Sequence, residues 1–298
     1  MKLLSDQSLS IILSITGFFV FACGDSFKKW LLLSYTIPET FVLTLSSGLI
    51  WAFAFSFKLG GIKSVMTINR PKLHIIKAFV LVANMYCAIQ GVKNLPLDTF
   101  YVIIFTAPLI TTLLASLIYK EALSRMKLAL ILTGFSGVVL IANPFNGLDI
   151  NYTGVIYTLL LAIFFSLNSI INKAFSRHDP QFPFILLPFM LALCLFTTLN
   201  NFAIPSVTLQ TGLVAFVCGF TSVFGTLCLL KAFQIGNAAS VANYHYTQLI
   251  WGIVLGYLLF SNEPTWMVIG GGGVIISSGL ALYFYDRREA RKCAKIML

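Results

Sequence analysis

Ten apolar stretches, each close to the length of a membrane-crossing helix, dominate the chain. A helix needs about 20 apolar residues to cross the hydrocarbon core of a bilayer, and Pro, Gly and clusters of charge separate these stretches. The predicted spans are Ser8 to Leu32, Pro38 to Phe57, Leu73 to Val92, Leu97 to Tyr119, Lys127 to Asn143, Thr153 to Ala174, Phe182 to Phe202, Leu209 to Phe233, Ala239 to Phe260 and Trp266 to Tyr285. The pattern predicts an all-α polytopic membrane protein of ten transmembrane helices.

The composition excludes a soluble globular protein. Of the 298 residues, 58% are hydrophobic and 10% are charged, whereas about a quarter of the residues of a globular chain are charged. A net charge of +10 would indicate nucleic acid as the partner of a soluble chain. Here the solvent is lipid, so we expect membrane lipid and a small-molecule substrate as partners, and no nucleic acid.

The basic residues concentrate on one side of the predicted spans. If the N-terminus is cytoplasmic, that side receives Lys58, Lys63, Arg70, Lys72, Lys120, Arg125, Lys127, Lys173, Arg177, Arg287, Arg288, Arg291, Lys292 and Lys295. The opposite side receives Lys28, Lys29 and Lys93. Because short basic loops stay in the cytoplasm, both termini are predicted to be cytoplasmic, in a plasma membrane or a bacterial inner membrane.

The second half of the chain resembles the first. Residues 97–142 align with residues 238–282, which pairs Thr106 with Thr247. An odd number of helices per half inverts the second copy, and inverted repeats are typical of secondary transporters with a substrate site near the midplane. The predicted boundaries are 1–143 for the first five-helix repeat, 153–285 for the inverted second repeat and 286–298 for a basic cytoplasmic tail.

Two corners of the chain carry a family resemblance. The runs from Pro108 to Glu121 and from Tyr246 to Pro264 resemble the corners of the drug/metabolite transporter superfamily, in its ten-helix form with two EamA-type domains. The resemblance covers nearly the whole chain. In the second corner Asn262 occupies the expected acidic position, and Glu263 follows it. The resemblance implies transport of amino acids or small metabolites without ATP, and it does not name the substrate.

The ninth predicted span holds the richest set of polar side chains. Tyr244, His245, Gln248 and Trp251 lie within it, and lipid cannot satisfy their polar groups. They either line a substrate cavity or join helices by hydrogen bonds. His245 also supports the hypothesis of a proton-coupling group, because imidazole titrates near neutral pH. The other predicted substrate-binding residues are Asn84, Tyr86, Gln90, Tyr101, Thr106, Asn168 and Asn172.

Three charged residues in or at the ends of spans are candidates for a gate. Asp25 and Lys29 are four residues apart on one helix face. They predict either a gate, with Lys29 as the partner of a substrate carboxylate, or a pair that satisfies itself near the outer surface. Lys173, which the repeat aligns with Lys29, either shares that role or reaches to the inner surface.

Signatures of intramembrane enzymes are missing from the sequence. It holds no HExxH motif, no paired intramembrane Asp and no CxxC spacing among its six cysteines. We therefore expect no enzyme, no catalytic residue, no metal site and no cofactor. The run from Gly270 to Gly273 lacks the Lys of a phosphate loop and predicts close packing of helices instead.

The leading functional prediction is a secondary transporter that moves amino acids or related small polar metabolites by alternating access. The resemblance offers S-adenosylmethionine uptake as a specific option, and efflux of lipophilic cations is another. A structural or receptor-like membrane protein is the alternative without transport. The sequence leaves open the substrate, the direction, the coupling ion and the choice between monomer and homodimer.

Overall fold

Helices make up the secondary structure of the computed structural model wherever the chain is described, which is residues 6–56, 63, 71–118, 124–142, 151–174, 182–235 and 244–296. Their bounds are α1 Asp6–Leu31, α2 Ile37–Ser56, α3 Pro71–Asn94, α4 Leu97–Ile104, α5 Ala107–Ile118, α6 Arg125–Ala142, α7 Tyr152–Ala174, α8 Pro183–Leu199, α9 Leu209–Ile235, α10 Tyr246–Phe260 and α11 Trp266–Ile296.

The helices confirm the predicted all-α membrane architecture. In the described part, α1, α2, α3, α7, α9 and α11 each contain a segment long and apolar enough to cross a membrane, and α8 is a shorter apolar helix. Phe79, Leu132 and Leu258 point outward with 60%, 61% and 69% of their surface exposed. An exposed surface of such side chains is suited to lipid rather than to water.

Turns lie within two of the predicted spans. A turn at Phe105 and Thr106 divides the fourth predicted span into α4 and α5. The described helix of the ninth predicted span begins at Tyr246, after a turn at Tyr244 and His245. The earlier residues of that predicted span, from 239 to 243, lie outside the described part of the chain.

A threonine hydroxyl bonds within each of these turns. Thr106 Oγ1 donates a hydrogen bond to the carbonyl oxygen of Ile103 at 2.9 Å, and Thr247 Oγ1 donates to that of Tyr244 at 2.6 Å. Hydroxyls that bond to the preceding turn bend membrane helices. Because the sequence repeat pairs Thr106 with Thr247, the two turns fall at corresponding places in the two halves.

The helix contacts also recur between the halves. Helix α1 packs on α9, and its counterpart α7 packs on α3; likewise α2 packs on α9, and α8 packs on α3. The pairs α2–α8 and α6–α11 join corresponding helices across the middle. This is the contact pattern that a duplication produces, while the boundaries 1–143 and 153–285 stay a prediction.

Glycines bring α6 and α11 close together. A Cβ atom at Gly137 would lie 2.7 Å from the carbonyl oxygen of Gly271, and one at Gly271 would lie 2.6 Å from that of Gly137. The predicted packing role of the glycine run is therefore confirmed at Gly271. Gly270 and Gly273 have open space instead, because a Cβ atom there would meet nothing described within 4 Å.

The last helix is longer than the span predicted for it. The span was predicted to end at Tyr285, but α11 continues to Ile296. The described part of the predicted tail at 286–298 is thus a continuation of the helix. Its basic residues remain those of the orientation argument, and the orientation stays a prediction.

Candidate functional site

Five polar side chains form a connected series between α1, α4 and α10. Lys28 Nζ lies 3.3 Å from Asp25 Oδ1, and the Tyr101 hydroxyl donates to Asp25 Oδ2 at 3.0 Å. The Gln248 side chain lies close enough to both Tyr101 and His245 to interact with them. Tyr101 is fully buried, and Gln248 and His245 are buried as well. We call these five residues the interior polar chain.

The structure corrects the predicted pairing of Asp25 with Lys29. Asp25 pairs with Lys28, and Lys29 instead donates to the main-chain oxygen of Val92, at 3.0 Å, and to that of Leu95. Both carbonyl groups belong to the C-terminal end of α3, where a helix leaves its last carbonyls without internal partners and where a cation is favoured. Lys29 therefore caps α3, and its role as a gate stays a prediction.

A glycine on α10 makes room for Tyr101. A Cβ atom at Gly252 would overlap the Tyr101 ring, whereas one at Gly256, a turn later, would lie 3.5 Å from Leu97 at an ordinary contact distance. The Tyr101 ring thus lies directly on the backbone of α10. This close approach holds the ring in the place from which its hydroxyl reaches Asp25.

Three phenylalanine rings enclose His245. Phe18 of α1 and Phe165 of α7 stack on the imidazole, with ring centroids 4.7 and 5.2 Å away and interplanar angles of 25° and 22°. Phe105, in the break between α4 and α5, meets the imidazole edge-on at 5.1 Å and 71°. Segments from both halves of the chain therefore converge on one ring. The sequence holds 27 Phe residues, and no spacing marks these three.

Tyr86 and Gln90 line a separate cleft. This cleft of about 370 Å³ opens between α2, α3 and α8, and Gln90 Nε2 donates to the Tyr86 hydroxyl at 2.9 Å. It lies at the ends of α3 and α8 that are predicted to face outward, so we call it the outer cleft. Its lining residues are Thr36, Ile37, Pro38, Tyr86, Gln90, Lys93, Phe196 and Leu199. The predicted binding residues therefore fall into two groups.

Asn84 and Thr106 make structural hydrogen bonds. Asn84 Nδ2 donates to the carbonyl oxygen of Leu161 on α7 at 3.4 Å, which joins α3 to α7. Thr106 bonds within its own turn, as described above. In the described structure both side chains hold the helices in shape, and their contact with substrate stays a prediction.

Asn168 and Trp251 each hold a buried polar atom without a hydrogen-bond partner among the described residues. The atoms are Asn168 Oδ1 and Trp251 Nε1, and unpaired buried polar groups are rare enough to need an explanation. Both were predicted to bind substrate, which would supply the missing partners. Tyr244 is half-buried in the turn before α10. The side chains of Asn172 and Lys173, in the last turn of α7, lie outside the described part.

Lys77 and His74 of α3 are buried polar groups that the prediction missed. Both are 4% exposed, Lys77 Nζ lies 3.8 Å from the ring centroid of Phe184, and the His74 ring stacks on Phe184 at 4.8 Å. The Phe184 ring attracts the ammonium group through its negative face. The signal was present in the sequence, because a lysine inside an apolar span is unusual in itself.

The site offers few ligands for a metal ion. Its interior polar chain holds one carboxylate and one imidazole, whereas bound zinc takes three or four protein ligands. Among all described residues, no three His, Cys, Asp or Glu side chains are grouped in a way that could hold a metal.

Comparison with known families gives one match in each half of the chain. The model of the EamA-like transporter family matches residues 8–143 and again residues 152–285. Together the two matches cover almost the whole chain, and they meet at the short segment between α6 and α7. Both the interior polar chain and the outer cleft lie within the matched residues.

Curated relatives are transporters of several different compounds. The chain is 26% identical to the S-adenosylmethionine uptake transporter of Rickettsia prowazekii (strain Madrid E), over 76% of both chains. It is 21% identical to the riboflavin transporter of Vibrio cholerae, over 93% of this chain and 94% of the relative. It is 26% identical to the pseudopaline exporter CntI of Pseudomonas aeruginosa, over 66% of this chain and 70% of the relative.

A solved crystal structure shares the fold. It superimposes with a TM-score of 0.65 and covers 95% of this chain and 99% of its own, at 16% sequence identity. At this identity the likeness bears on the fold alone.

Proposed function

The chain belongs to the EamA-like transporter family, and from this premise we propose that it is a secondary transporter for amino acids or related small polar metabolites. It works by alternating access, in which a site near the midplane opens to the two sides of the membrane in turn. The proposal is the same for a monomer and for a homodimer, because one copy supplies the whole interior polar chain.

The interior polar chain is the observation that carries the proposal. Polar groups inside a membrane protein are costly and are kept where they bind substrates or ions. Gln248 and Tyr101 offer an amide and a hydroxyl to a polar molecule, and both are buried. The interior polar chain ends at His245, in the turn before α10 and in contact with Phe105 in the break between α4 and α5, and transporters bind their substrates at discontinuous helices. Proton coupling at His245 stays a prediction.

S-adenosylmethionine is the first compound to test. The Rickettsia relatives are named for uptake of this amino-acid derivative. Efflux of lipophilic cations has less support. It calls for a free carboxylate in the interior, and Asp25 is engaged by Lys28 and Tyr101.

The orientation and the domain boundaries belong to the same proposal. We propose an integral protein of a plasma membrane or bacterial inner membrane, with both termini in the cytoplasm. The proposed repeats are 1–143 and 153–285, followed by the basic segment 286–298. The excess of basic residues on one side supports this orientation.

Counterflow in proteoliposomes tests the proposal. Vesicles are loaded with a mixture of unlabelled neutral and aromatic amino acids and S-adenosylmethionine, and the uptake of each labelled compound is compared with that of empty vesicles. We expect one compound to accumulate, and Gln248→Ala to reduce its exchange about tenfold, because a buried hydrogen bond to the substrate is lost. Phe79→Leu, on the lipid-facing surface of α3, is the matched control and should exchange normally.

Folded protein that exchanges none of these compounds would refute the substrate class. Lipophilic cations would then be tested in the same vesicles. If Gln248→Ala and Phe79→Leu exchanged equally well, the substrate would bind elsewhere than at the interior polar chain.

A further inference from the structure

The arrangement of rings around His245 points to the chemical class of the substrate. We infer that the pocket formed by Phe18, Phe105 and Phe165 is a binding slot for a planar heteroaromatic ring, and that the imidazole of His245 fills this slot when substrate is absent. The inference rests on the proposed transport function, because it assigns the part of the substrate that the interior site would recognise.

The geometry around the imidazole is that of a bound flat ring. Two phenylalanines stack on it with interplanar angles of 25° and 22°, and a third meets it edge-on at 71°. Stacked and edge-to-face contacts at 4.5–7 Å are the favoured arrangements of aromatic rings. A slot built in this way selects flatness and a π surface, and an aliphatic side chain would lose both kinds of contact.

Gln248 supplies polar groups beside the slot. Gln248 reaches His245 and also Tyr101. Its amide can donate and accept hydrogen bonds, so it can pair with the ring nitrogens or exocyclic groups at the edge of a heterocycle. A purely hydrocarbon ring would leave this amide unpaired in a buried site. A flat ring with a polar edge is therefore the ligand that satisfies all four side chains.

The position of His245 in the backbone allows it to leave. The residue lies in the turn that precedes α10, and not inside a helix. Its carbonyl accepts a hydrogen bond from the backbone N–H of Gln248 at 2.9 Å. Rotation of this turn can withdraw the imidazole without unwinding α10. Phe105, which meets the imidazole edge-on, lies in the break between α4 and α5, so His245 and one of its three neighbouring rings lie outside helices.

Binding of adenosine and of methionine to the purified full-length chain tests the inference. Adenosine has a flat heteroaromatic ring and no amino-acid group, whereas methionine has an amino-acid group and no aromatic ring. We expect equilibrium dialysis to detect adenosine and not methionine in the slot. His245→Ala should raise the affinity for adenosine about tenfold, because an internal competitor is removed. His245→Phe should lower it, because a larger ring fills the slot.

Removal of one stacking ring should weaken the binding of adenosine, which is the opposite of the effect expected for His245→Ala. We expect Phe165→Leu to reduce adenosine affinity about tenfold, since one of the two rings that stack on the base is lost. Phe79→Leu is the matched control and should bind as the unchanged chain does. Tighter binding in His245→Phe, or equal affinities in Phe165→Leu and Phe79→Leu, would overturn the slot.

The two proposals fail separately. If the vesicles exchange an aliphatic amino acid and no variant binds adenosine, the transport function stands and the slot is rejected. If adenosine binds with the expected ranking and no compound exchanges, the slot stands and the transport proposal is rejected. If one of the two His245 variants does not fold, the other still tests the inference, because His245→Ala should raise the affinity for adenosine and His245→Phe should lower it.

Discussion

Tyr101 connects three helices through a single hydroxyl group. The residue lies on α4, donates to Asp25 of α1, and is within reach of Gln248 on α10. Its ring is fully buried against the backbone at Gly252. Because the ring is tightly packed, the hydroxyl holds the charged pair at a set distance from the centre of the site.

Removal of that hydroxyl should uncouple Tyr101 from Asp25. In a double-mutant cycle of Tyr101→Phe and Asp25→Asn, we expect a coupling free energy of about 0.6 to 1.7 kcal/mol, the range of hydrogen bonds between membrane helices. The measurement is unfolding of the detergent-solubilised chain. Tyr257→Phe, at a side chain that is 57% exposed on α10, serves as control and should not couple to Asp25→Asn. If the effects of Tyr101→Phe and Asp25→Asn on the free energy of unfolding simply add, the hydrogen bond between the two side chains contributes nothing to stability.

At the scale of elements, single glycines decide how closely helices approach. Helix α10 meets α4 at Gly252, and α11 meets α6 at Gly271. Each of these glycines has a neighbour on its own helix that is free of such a contact, Gly256 and Gly273. The chain thus provides matched pairs for testing each helix contact.

The pair on α10 separates function from folding. Gly252→Ala places a methyl group into the Tyr101 ring, so we expect the ring to move and exchange in the counterflow assay to fall about tenfold. Gly256→Ala should leave exchange unchanged, because its Cβ atom would lie at an ordinary 3.5 Å from Leu97. Equal activity of the two variants would mean that the position of Tyr101 has no part in transport.

The pair on α11 tests the contact with α6. Gly271→Leu must push apart two backbones, since its Cβ atom would lie 2.6 Å from the carbonyl oxygen of Gly137. We expect a loss of about 1–3 kcal/mol, the usual cost of overpacking, seen as a lower melting temperature in detergent. Gly273→Leu, toward open space, should melt close to the unchanged chain. A similar drop for both would point to the glycine backbone itself rather than to the helix contact.

At the scale of the whole molecule, the orientation has a direct test. In a chain without other cysteines, we expect Cys293 to react with a membrane-impermeant maleimide only after the cells are opened. Ser206→Cys, in the exposed segment between α8 and α9, should react in intact cells, because an odd number of predicted spans separates it from the N-terminus. The reverse labelling pattern would invert the predicted topology.

Hydropathy was sufficient to predict the spans, and the partners of polar residues were not predictable. An apolar run of about 20 residues has few alternatives to a membrane helix. The break at Phe105 had a signal that the predicted span ignored, since Pro108 has no N–H to bond to the carbonyl oxygen of Ile104. Asp25 had basic residues three and four positions away, and the end of α3, which attracts Lys29, decided between them. The sequence assigns Tyr86 and His245 to one set of substrate-binding residues, but the structure places them in different sites. Distances between helices, which separate the two sites, are absent from the sequence.

The bond from Lys29 to the end of α3 has a mechanical consequence. By capping α3, the last turn of α1 fastens to each other the ends of two helices that are not adjacent in sequence. On its other side, α3 faces α2 and α8 across the outer cleft. We expect a motion that widens the outer cleft to leave the contact between Lys29 and the end of α3 in place.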